Sequence, residues 1–234
     1  MEILMISSSR VADENYLAHA REMIFAHLGP IKDILFIPFA GVTIDWDSYT
    51  AKVQAALPEL NIKGIQQFSD PAQALSDAQA IAVGGGNTFN LLHQLYLQGL
   101  FTGVQDKVRQ GCPYIGWSAG SNICGQTICT TNDMPIVQPE SFNALNFVPF
   151  QLNPHYTDYQ PPGHNGETRA QRIEEFCTLS PNTPVLAIRE GTALKLTGSQ
   201  LSLSGKLSGV VFHGKRQLEL QPQTDLSAYL SAPD

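Results

Sequence analysis

The 234-residue sequence is short of basic residues, of cysteines and of long apolar runs, and each shortage excludes a class of protein. Its 14 Lys and Arg against 21 Asp and Glu give a formal net charge of −7, which argues against nucleic acid or an anionic membrane as a partner. The four cysteines include no C-x-x-C pair and are too few for a disulfide framework. No apolar run reaches membrane-spanning length. We therefore expect a cytoplasmic protein with reduced thiols and no nucleic-acid or membrane partner.

The remaining composition is that of a globular protein with a substantial core. Hydrophobic residues make up 43% of the chain and charged residues 15%, which excludes a disordered chain. The apolar N-terminus is short, has an acid at position 2 and lacks a basic region, so it predicts a first strand and not a signal peptide. We expect residues 1–234 to form a single α/β domain.

Apolar runs alternate with amphipathic segments along most of the chain, which predicts a mostly parallel sheet with helices on both faces. The runs that indicate buried strands are 3–7, 34–40, 80–83, 114–117 and 185–188. Residues 130–149 are rich in Asn, Asp and Pro and predict a long surface loop. Short alternating runs broken by glycines over 193–218 predict β-hairpins near the C-terminus.

The most informative short motif is Gly116-Trp117-Ser118-Ala119-Gly120, directly after a predicted strand. This is the Gly-x-Ser-x-Gly pattern of a nucleophile elbow, in which glycines relieve crowding at a sharp strand-to-helix turn and the serine hydroxyl stands above the sheet. The N–H groups at the start of the following helix are free to stabilise an oxyanion. The motif is weak evidence alone, because Gly and Ser are common in loops.

Two further polar features share the position of Ser118 at the end of a predicted strand. They are the Gly84-Gly85-Gly86-Asn87 turn and Glu190. Ligands of parallel sheets bind at the carboxyl ends of the strands, so these groups are expected to meet in one site. The glycines let the backbone approach a ligand, and one of their N–H groups is expected to complete an oxyanion hole with that of Ala119. The alternative is a phosphate-binding turn, but neither G-x-G-x-x-G nor G-x-x-x-x-G-K-[ST] is present.

A serine nucleophile needs a base and a carboxylate that orients the base, and the residues leave two candidates for each. His155 and His164 both lie downstream of the elbow in a loop-rich stretch, where a base could be positioned. The carboxylate candidates are Glu190, at a strand end, and Asp133, whose simpler interpretation is an Asx-type turn.

Five ordered segments of the chain together resemble the peptidase E family of α-aspartyl dipeptidases. They are 37–43, 83–89, 115–120, 131–137 and 153–155, and the likeness extends from the first strand to about Glu190. The resemblance implies a class I glutamine-amidotransferase-like α/β fold and a serine exopeptidase that cleaves dipeptides with an N-terminal aspartate. Amidotransferases of this fold carry cysteine at the elbow, so Ser118 argues against glutamine hydrolysis.

The same resemblance assigns roles to individual residues. It implies Ser118 as nucleophile, His155 as general base and Glu190 as third member, with Asp133 as the other candidate for that role. It also implies that the N–H groups of Gly86 and Ala119 form the oxyanion hole. We assign Asn87 and Thr88, from the second of the five segments, to substrate binding, and we expect no metal and no cofactor.

An enzyme specific for aspartate needs a cation for the substrate's β-carboxylate, preferably a bidentate arginine. Arg169 matches the family motif and is our candidate, with a helix-surface arginine as the simpler alternative. The expected partner is a small peptide, and the sequence does not distinguish a monomer from a homodimer. Two other hypotheses are a serine peptidase acting on β-aspartyl or cyanophycin-type peptides, and a non-catalytic domain that binds acidic ligands.

Overall fold

The structure is a computed structural model that describes residues 1–163 and 165–231. The strands are β1 (Glu2–Ile6), β2 (Asp33–Ile37), β3 (Asn61–Gly64), β4 (Ile81–Val83), β5 (Tyr114–Trp117), β6 (Gln151–Tyr156), β7 (Val185–Arg189), β8 (Ala193–Thr197), β9 (Gln200–Ser204), β10 (Gly209–His213) and β11 (Arg216–Leu220). The α-helices are α1 (Arg21–Leu28), α2 (Trp46–Ala56), α3 (Pro71–Asp77), α4 (Thr88–Leu97), α5 (Phe101–Arg109), α6 (Ala119–Asn122) and α7 (Arg169–Leu179).

Seven strands form a central sheet in the order β3-β2-β4-β5-β1-β8-β9. The pairs from β3 to β1 are parallel, and the hairpin β8–β9 extends the sheet in antiparallel fashion beyond β1. The mostly parallel sheet and the C-terminal hairpins predicted from the sequence are confirmed. Because β1 lies beside β5, the first strand ends next to Ser118, whose N–H donates to the carbonyl of Ile6 at 3.1 Å.

Helices cover both faces of the central sheet, as the apolar strands predict. Successive residues of β1 point to opposite faces, so Ile3 and Met5 pack in one core and Leu4 and Ile6 in the other. Helices α4 and α5 bury their apolar residues in the first core, whereas α1 and α2 bury theirs in the second. No helix within the described residues is both long and apolar enough to cross a bilayer.

A second sheet of four strands, in the order β11-β10-β7-β6, stands beside the central one. Strands β6 and β7 are parallel, β10 pairs antiparallel with β7, and β10–β11 is a hairpin. Helix α7 packs on this sheet through Ile173 and Cys177 in a small core of its own. The two C-terminal hairpins therefore belong to different sheets, which strand patterns alone do not indicate.

Two local predictions are wrong. Residues 151–156 form strand β6, so His155 lies on a strand and not in a loop; β6 is an edge strand, where a proline such as Pro154 is tolerated. Part of 130–149 is also buried and not a surface loop, because its second half is apolar. That half folds back on the residues after α6, with Leu145 donating to the carbonyl of Ile123 and Phe147 to that of Cys124.

Candidate active site

Ser118 occupies a sharp turn between β5 and α6, with the strained backbone angles φ 53° and ψ −113°. A Cβ atom on Gly116 would lie 2.3 Å from the carbonyl oxygen of Gly120, and one on Gly120 would lie 2.2 Å from that of Val83. Both flanking positions therefore exclude any side chain, as the elbow motif predicts. A non-glycine residue in such a conformation costs about 1–3 kcal/mol, and such residues cluster at functional sites.

His155 reaches Ser118 from the second sheet. Its Nε2 lies 2.9 Å from the Ser118 Oγ. The pairing of β6 with β7 changes register between Asn153 and Tyr156, and His155 adopts a positive φ of 57° at this irregularity. Bulges of this kind redirect a side chain, and here the imidazole is directed to the neighbouring sheet.

Ser7, at the end of β1, fastens the backbone of His155 to the central sheet. The His155 N–H donates to the Ser7 Oγ at 2.9 Å, and the Ser7 hydroxyl donates to the carbonyl of Ile188 at 2.8 Å. Ser7 is fully buried and connects β1 with both parallel strands of the second sheet. Sequence reasoning missed this role; its one signal is the hydroxyl-rich Ser7-Ser8-Ser9 at a strand end.

Glu190 contacts the other side of the same imidazole. Its Oε1 lies 2.7 Å from the His155 Nδ1, and it follows directly after β7, whose last residue is paired with Tyr156. Parallel neighbours end at the same edge, so this carboxylate and the imidazole meet there. A carboxylate at Nδ1 favours the tautomer with the proton on Nδ1, which leaves the Nε2 lone pair facing Ser118.

Asp133, the other candidate carboxylate, lies at the N-terminus of α4. Its Oδ2 accepts from the Thr88 N–H at 2.7 Å and from the Thr88 hydroxyl at 2.6 Å, with the Thr131 hydroxyl at 3.3 Å. A negative charge is stabilised at a helix N-terminus. Of the two carboxylates, only Glu190 is in hydrogen-bond contact with the His155 ring.

Asn87 and Thr88, which we assigned to substrate binding, both take part in bonds within the protein. The Asn87 side chain caps α4 by accepting from the Asn90 N–H at 3.0 Å and donates to the carbonyl of Met134 at 2.9 Å. Thr88 is buried and its hydroxyl is bonded to Asp133. The geometry thus gives both residues a part in holding the loop that carries Asp133.

The glycine turn after β4 lies against the elbow. A Cβ atom on Gly85 would be 2.9 Å from the Ser118 Cβ. Gly86 has φ +140°, and a Cβ there would lie 2.1 Å from the carbonyl oxygen of Ala40, so only glycine fits. Within the part of the chain that the structure describes, the N–H groups of Gly86 and Ala119 donate no hydrogen bond to another group of the protein. Two N–H groups beside the serine are thus available to an oxyanion.

A cavity of about 860 Å³ opens beside Ser118. Its polar lining includes Asn132, Asp133, His155, Arg169 and Glu190.

Arg169 is the first residue of α7, where a cation is opposed by the helix dipole. None of the ion pairs among the described residues involves it. Burial lowers the pKa of Arg169 from its usual value, Arg172 adds to that effect, and Asp133 opposes it; arginine nevertheless stays protonated. The cavity therefore presents a cation that no carboxylate of residues 1–163 and 165–231 contacts at ion-pair distance.

The remaining candidate base, His164, lies outside the described residues. Of the histidines that are described, only His155 is in hydrogen-bond contact with Ser118. Within 1–163 and 165–231 no group of three or more His, Cys, Asp or Glu side chains is arranged to hold a metal ion.

A serine on a strand-to-helix turn, bonded to a histidine that is bonded in turn to a carboxylate, is the arrangement that defines serine hydrolases. A sequence profile of peptidase family S51 matches residues 3–204. The chain belongs to peptidase family S51 and is a serine-type peptidase.

Curated relatives match the chain over nearly its full length. Peptidase E of Shewanella denitrificans is 55% identical over 230 residues, covering 97% of this chain and 98% of its own. Peptidase E of Shewanella baltica is 54% identical over 232 residues, covering 98% of each chain.

Solved structures of lower identity show the same fold. A crystal structure of a peptidase from an acI-B1 Actinobacterium has a TM-score of 0.69 at 16% identity and covers 96% of both chains. A Listeria monocytogenes protein provisionally named peptidase E has a TM-score of 0.68 at 23% identity, covering 87% of this chain and 98% of its own.

The contacts of Glu190 and Asp133 predict different defects when each carboxylate is neutralised. We expect Glu190→Gln to lower kcat for peptide hydrolysis roughly 10²- to 10⁴-fold, because the imidazole loses its orienting anion. We expect Asp133→Asn to lower thermal stability, because it weakens the bonds to Thr88. We also expect it to raise KM, because Asp133 lines the cavity beside Ser118. Steady-state kinetics and thermal melts of both variants test this assignment. The reverse order, with Asp133→Asn folded but inactive and Glu190→Gln close to wild type, would contradict it.

Proposed function

We propose that this peptidase is a dipeptidase that hydrolyses Asp-Xaa dipeptides through an aspartyl-enzyme. The observation that carries the proposal is the guanidinium of Arg169, which has no ion-pair partner among the described residues and lines the same cavity as Ser118 and His155. Such a cation suits an anionic side chain on the acyl residue of the substrate. The relatives named peptidase E support the same activity.

In the proposed reaction, the Ser118 Oγ attacks the carbonyl carbon of the aspartyl residue while the His155 Nε2 accepts the hydroxyl proton. The Glu190 carboxylate stabilises the imidazolium that forms. The N–H groups of Gly86 and Ala119 donate to the oxyanion of the tetrahedral intermediate. When that intermediate collapses, the C–N bond breaks and the His155 Nε2 returns its proton to the leaving amine. Water then attacks the ester carbonyl while the His155 Nε2 accepts its proton. The acyl C–Oγ bond breaks as that proton passes to the Ser118 Oγ, which releases aspartate and restores the serine.

The acyl residue is proposed to occupy the cavity that contains Arg169. The guanidinium would form a bidentate pair with the β-carboxylate. Asp133 lines the same cavity, and its carboxylate is the proposed partner of the free α-ammonium group. This role differs from that of the third triad member, for which Glu190 has the contact to His155.

The leaving residue is proposed to occupy a second cavity, of about 620 Å³, on the other side of the nucleophile. The two cavities share Ser118, Asp133 and His155, and Arg169 lines only the first. Apolar side chains contribute to the lining of the second cavity; they are Ala40, Val42, Ile44 and Ile136. Its cation is Lys52, whose Nζ lies 4.4 Å from the centroid of the Tyr16 ring. An apolar leaving residue with a free carboxylate fits this lining.

We also propose that the peptidase acts in the cytoplasm. The four cysteines, Cys112, Cys124, Cys129 and Cys177, are all free. Free thiols suit a reducing compartment, and dipeptides are produced there by protein turnover.

A dipeptide panel tests the proposed substrate. We expect the purified protein to hydrolyse Asp-Leu faster than Glu-Leu, Asn-Leu and β-Asp-Leu, since Arg169 requires an anion at the length of an aspartate side chain. Ser118→Ala is the control and should lose several orders of magnitude of activity, as other triads do. A preference for β-Asp-Leu would favour the β-aspartyl or cyanophycin-type alternative, and near-normal turnover by Ser118→Ala would refute the mechanism.

Arg169→Met should raise KM for Asp-Leu roughly 10- to 100-fold, the usual range for a lost hydrogen bond to a charged group. Hydrolysis of an uncharged activated ester should change little. Arg172→Met is the matched control, because Arg172 lies on the same helix and is 3.7 Å from Glu167 instead of lining the cavity. Equal effects of the two substitutions would remove Arg169 from the aspartate site.

Lys52→Met should raise KM for Asp-Leu about two- to fivefold, the usual range for an exposed ion pair, and leave KM for Asp-Leu amide unchanged. The amide lacks the terminal carboxylate, so the difference between the two substrates isolates that charge. Lys32→Met is the matched control, since Lys32 also lies over an aromatic ring, that of Phe25, but does not line this cavity. An equal increase for the acid and the amide would contradict this placement of the leaving residue.

A further inference from the structure

Three polar aromatic groups, the buried Tyr49 and Trp117 and the partly buried Tyr16, form a cluster beneath the glycine turn and the elbow. The Tyr16 hydroxyl donates to the Tyr49 hydroxyl at 3.1 Å, and the Trp117 Nε1–H lies within hydrogen-bond distance of both oxygens, at 3.0 and 3.2 Å. The Tyr49 hydroxyl then donates to the carbonyl of Gly85 at 2.9 Å. The mechanism proposed above uses none of these groups, although the cluster ends on the turn that supplies an oxyanion donor.

The position of the Tyr49 bond matters because of the planarity of the peptide unit. The Gly85 carbonyl and the Gly86 N–H belong to one planar unit and point to opposite sides of it. A donor that fixes the direction of the carbonyl therefore fixes the direction of the N–H. A hydrogen bond to the carbonyl also polarises the unit and strengthens its N–H as a donor.

Other bonds hold the turn on both sides of this unit but not the unit itself. The Gly84 N–H donates to the carbonyl of Ile37 at 3.1 Å, and the Asn87 N–H donates to that of Ala40 at 2.8 Å. Between them, the Tyr49 bond is the one hydrogen bond that the Gly85–Gly86 unit makes within the described residues. Two adjacent glycines have wide backbone freedom, so the orientation of this unit depends on that bond.

Tyr49 is itself held rigidly enough to act as such a restraint. It lies on α2 with 4% of its surface exposed, and its ring packs edge-on against Phe36 at 5.1 Å. Phe36 stacks on Trp117 at 5.7 Å, and Trp117 directly precedes Ser118. Burial raises the pKa of Tyr49, so its hydroxyl keeps the proton that it donates.

We propose that Tyr49 is a positioning residue that orients the Gly85–Gly86 peptide, so that the Gly86 N–H faces the oxyanion of the tetrahedral intermediate. The inference rests on the proposed roles of Ser118 and Gly86. It adds a residue from α2, distant in sequence from both, whose hydroxyl acts on the transition state and whose ring lines the second cavity.

The substitution Tyr49→Phe removes the hydroxyl and keeps the ring. We expect kcat for Asp-Leu to fall about 10- to 100-fold, somewhat less than the 10²- to 10³-fold that removal of an oxyanion donor usually costs. KM should stay within about twofold of wild type, because Phe keeps the ring that lines the second cavity and leaves Arg169 and Lys52 in place. The bond between Trp117 and Tyr16 remains, which favours a folded variant.

Tyr114→Phe is the matched control for this change. The Tyr114 hydroxyl is also buried and donates to a glycine carbonyl beside the elbow, that of Gly120, at 2.6 Å. The N–H of that peptide unit belongs to Ser121 and donates to the carbonyl of Ser118, so it is not available to an oxyanion. We expect Tyr114→Phe to lower thermal stability and to leave kcat within about threefold of wild type.

Inhibitor binding separates orientation of the peptide from general loosening of the site. The α-aldehyde of aspartate would add to the Ser118 Oγ and place an oxyanion against Gly86, whereas aspartate itself binds without this step. Tyr49→Phe should weaken inhibition by the aldehyde by about the factor lost in kcat and leave inhibition by aspartate unchanged. Equal weakening of both inhibitors, or equal loss of kcat in Tyr49→Phe and Tyr114→Phe, would overturn the proposal.

An uncharged activated ester distinguishes failure of this inference from failure of the proposed function. Turnover of the ester that is lost in Ser118→Ala shows that Ser118 is the nucleophile, whichever dipeptide is preferred. With that established, an unchanged kcat for the ester in Tyr49→Phe refutes the role of Tyr49 alone. If the wild type turns over no substrate faster than Ser118→Ala does, the proposed function is refuted. The role of Tyr49, which rests on that function, is then refuted as well.

Discussion

The hydrogen bond between the Ser118 Oγ and the His155 Nε2 is the constraint on which the rest of the structure depends, because its two partners lie on different sheets. Ser118 ends a strand of the central sheet and His155 lies near the end of an edge strand of the smaller one. A contact of 2.9 Å across such a boundary requires both sheets to be fixed to each other. The fully buried hydroxyl of Ser7 provides part of this connection, since it bonds both to β6 and to β7.

The site also concentrates unfavourable backbone conformations. Both Ser118 and His155 have positive φ angles without being glycine, which costs about 1–3 kcal/mol each. Hydrogen bonds to the backbone of each residue oppose this cost, from Ser118 N–H to Ile6 and from His155 N–H to Ser7. The strained residues are therefore fixed by the end of β1, an interior strand of the central sheet.

Much of this arrangement could be predicted from the sequence, because the groups that meet in the site follow strands that are easy to recognise. Ser118 and the glycine turn follow apolar runs of the central sheet, and Glu190 follows another apolar run. The sequence could not show that the run before Glu190 belongs to a second sheet, since apolar character indicates burial and not the identity of a strand's neighbours. Strand β6 could not be predicted either, because it contains Asn153, Pro154 and His155. These residues are poor strand formers that an edge position tolerates. The contacts of Ser7 and Tyr49 depend on residues far away in the chain. The hydroxyl-rich Ser7-Ser8-Ser9 is the one local signal for Ser7, and Tyr49 has none.

The interior position of β1 has a consequence for the newly made protein. This strand pairs with β5 on one side and with β8 on the other, and the residue that follows it bonds to β6 and β7. Ser118 leaves the ribosome well before Glu190, so a partly synthesised chain carries the serine without the imidazole–carboxylate pair assembled around it. The contacts of Ser118 with His155 and of His155 with Glu190 can therefore form only after most of the chain has emerged.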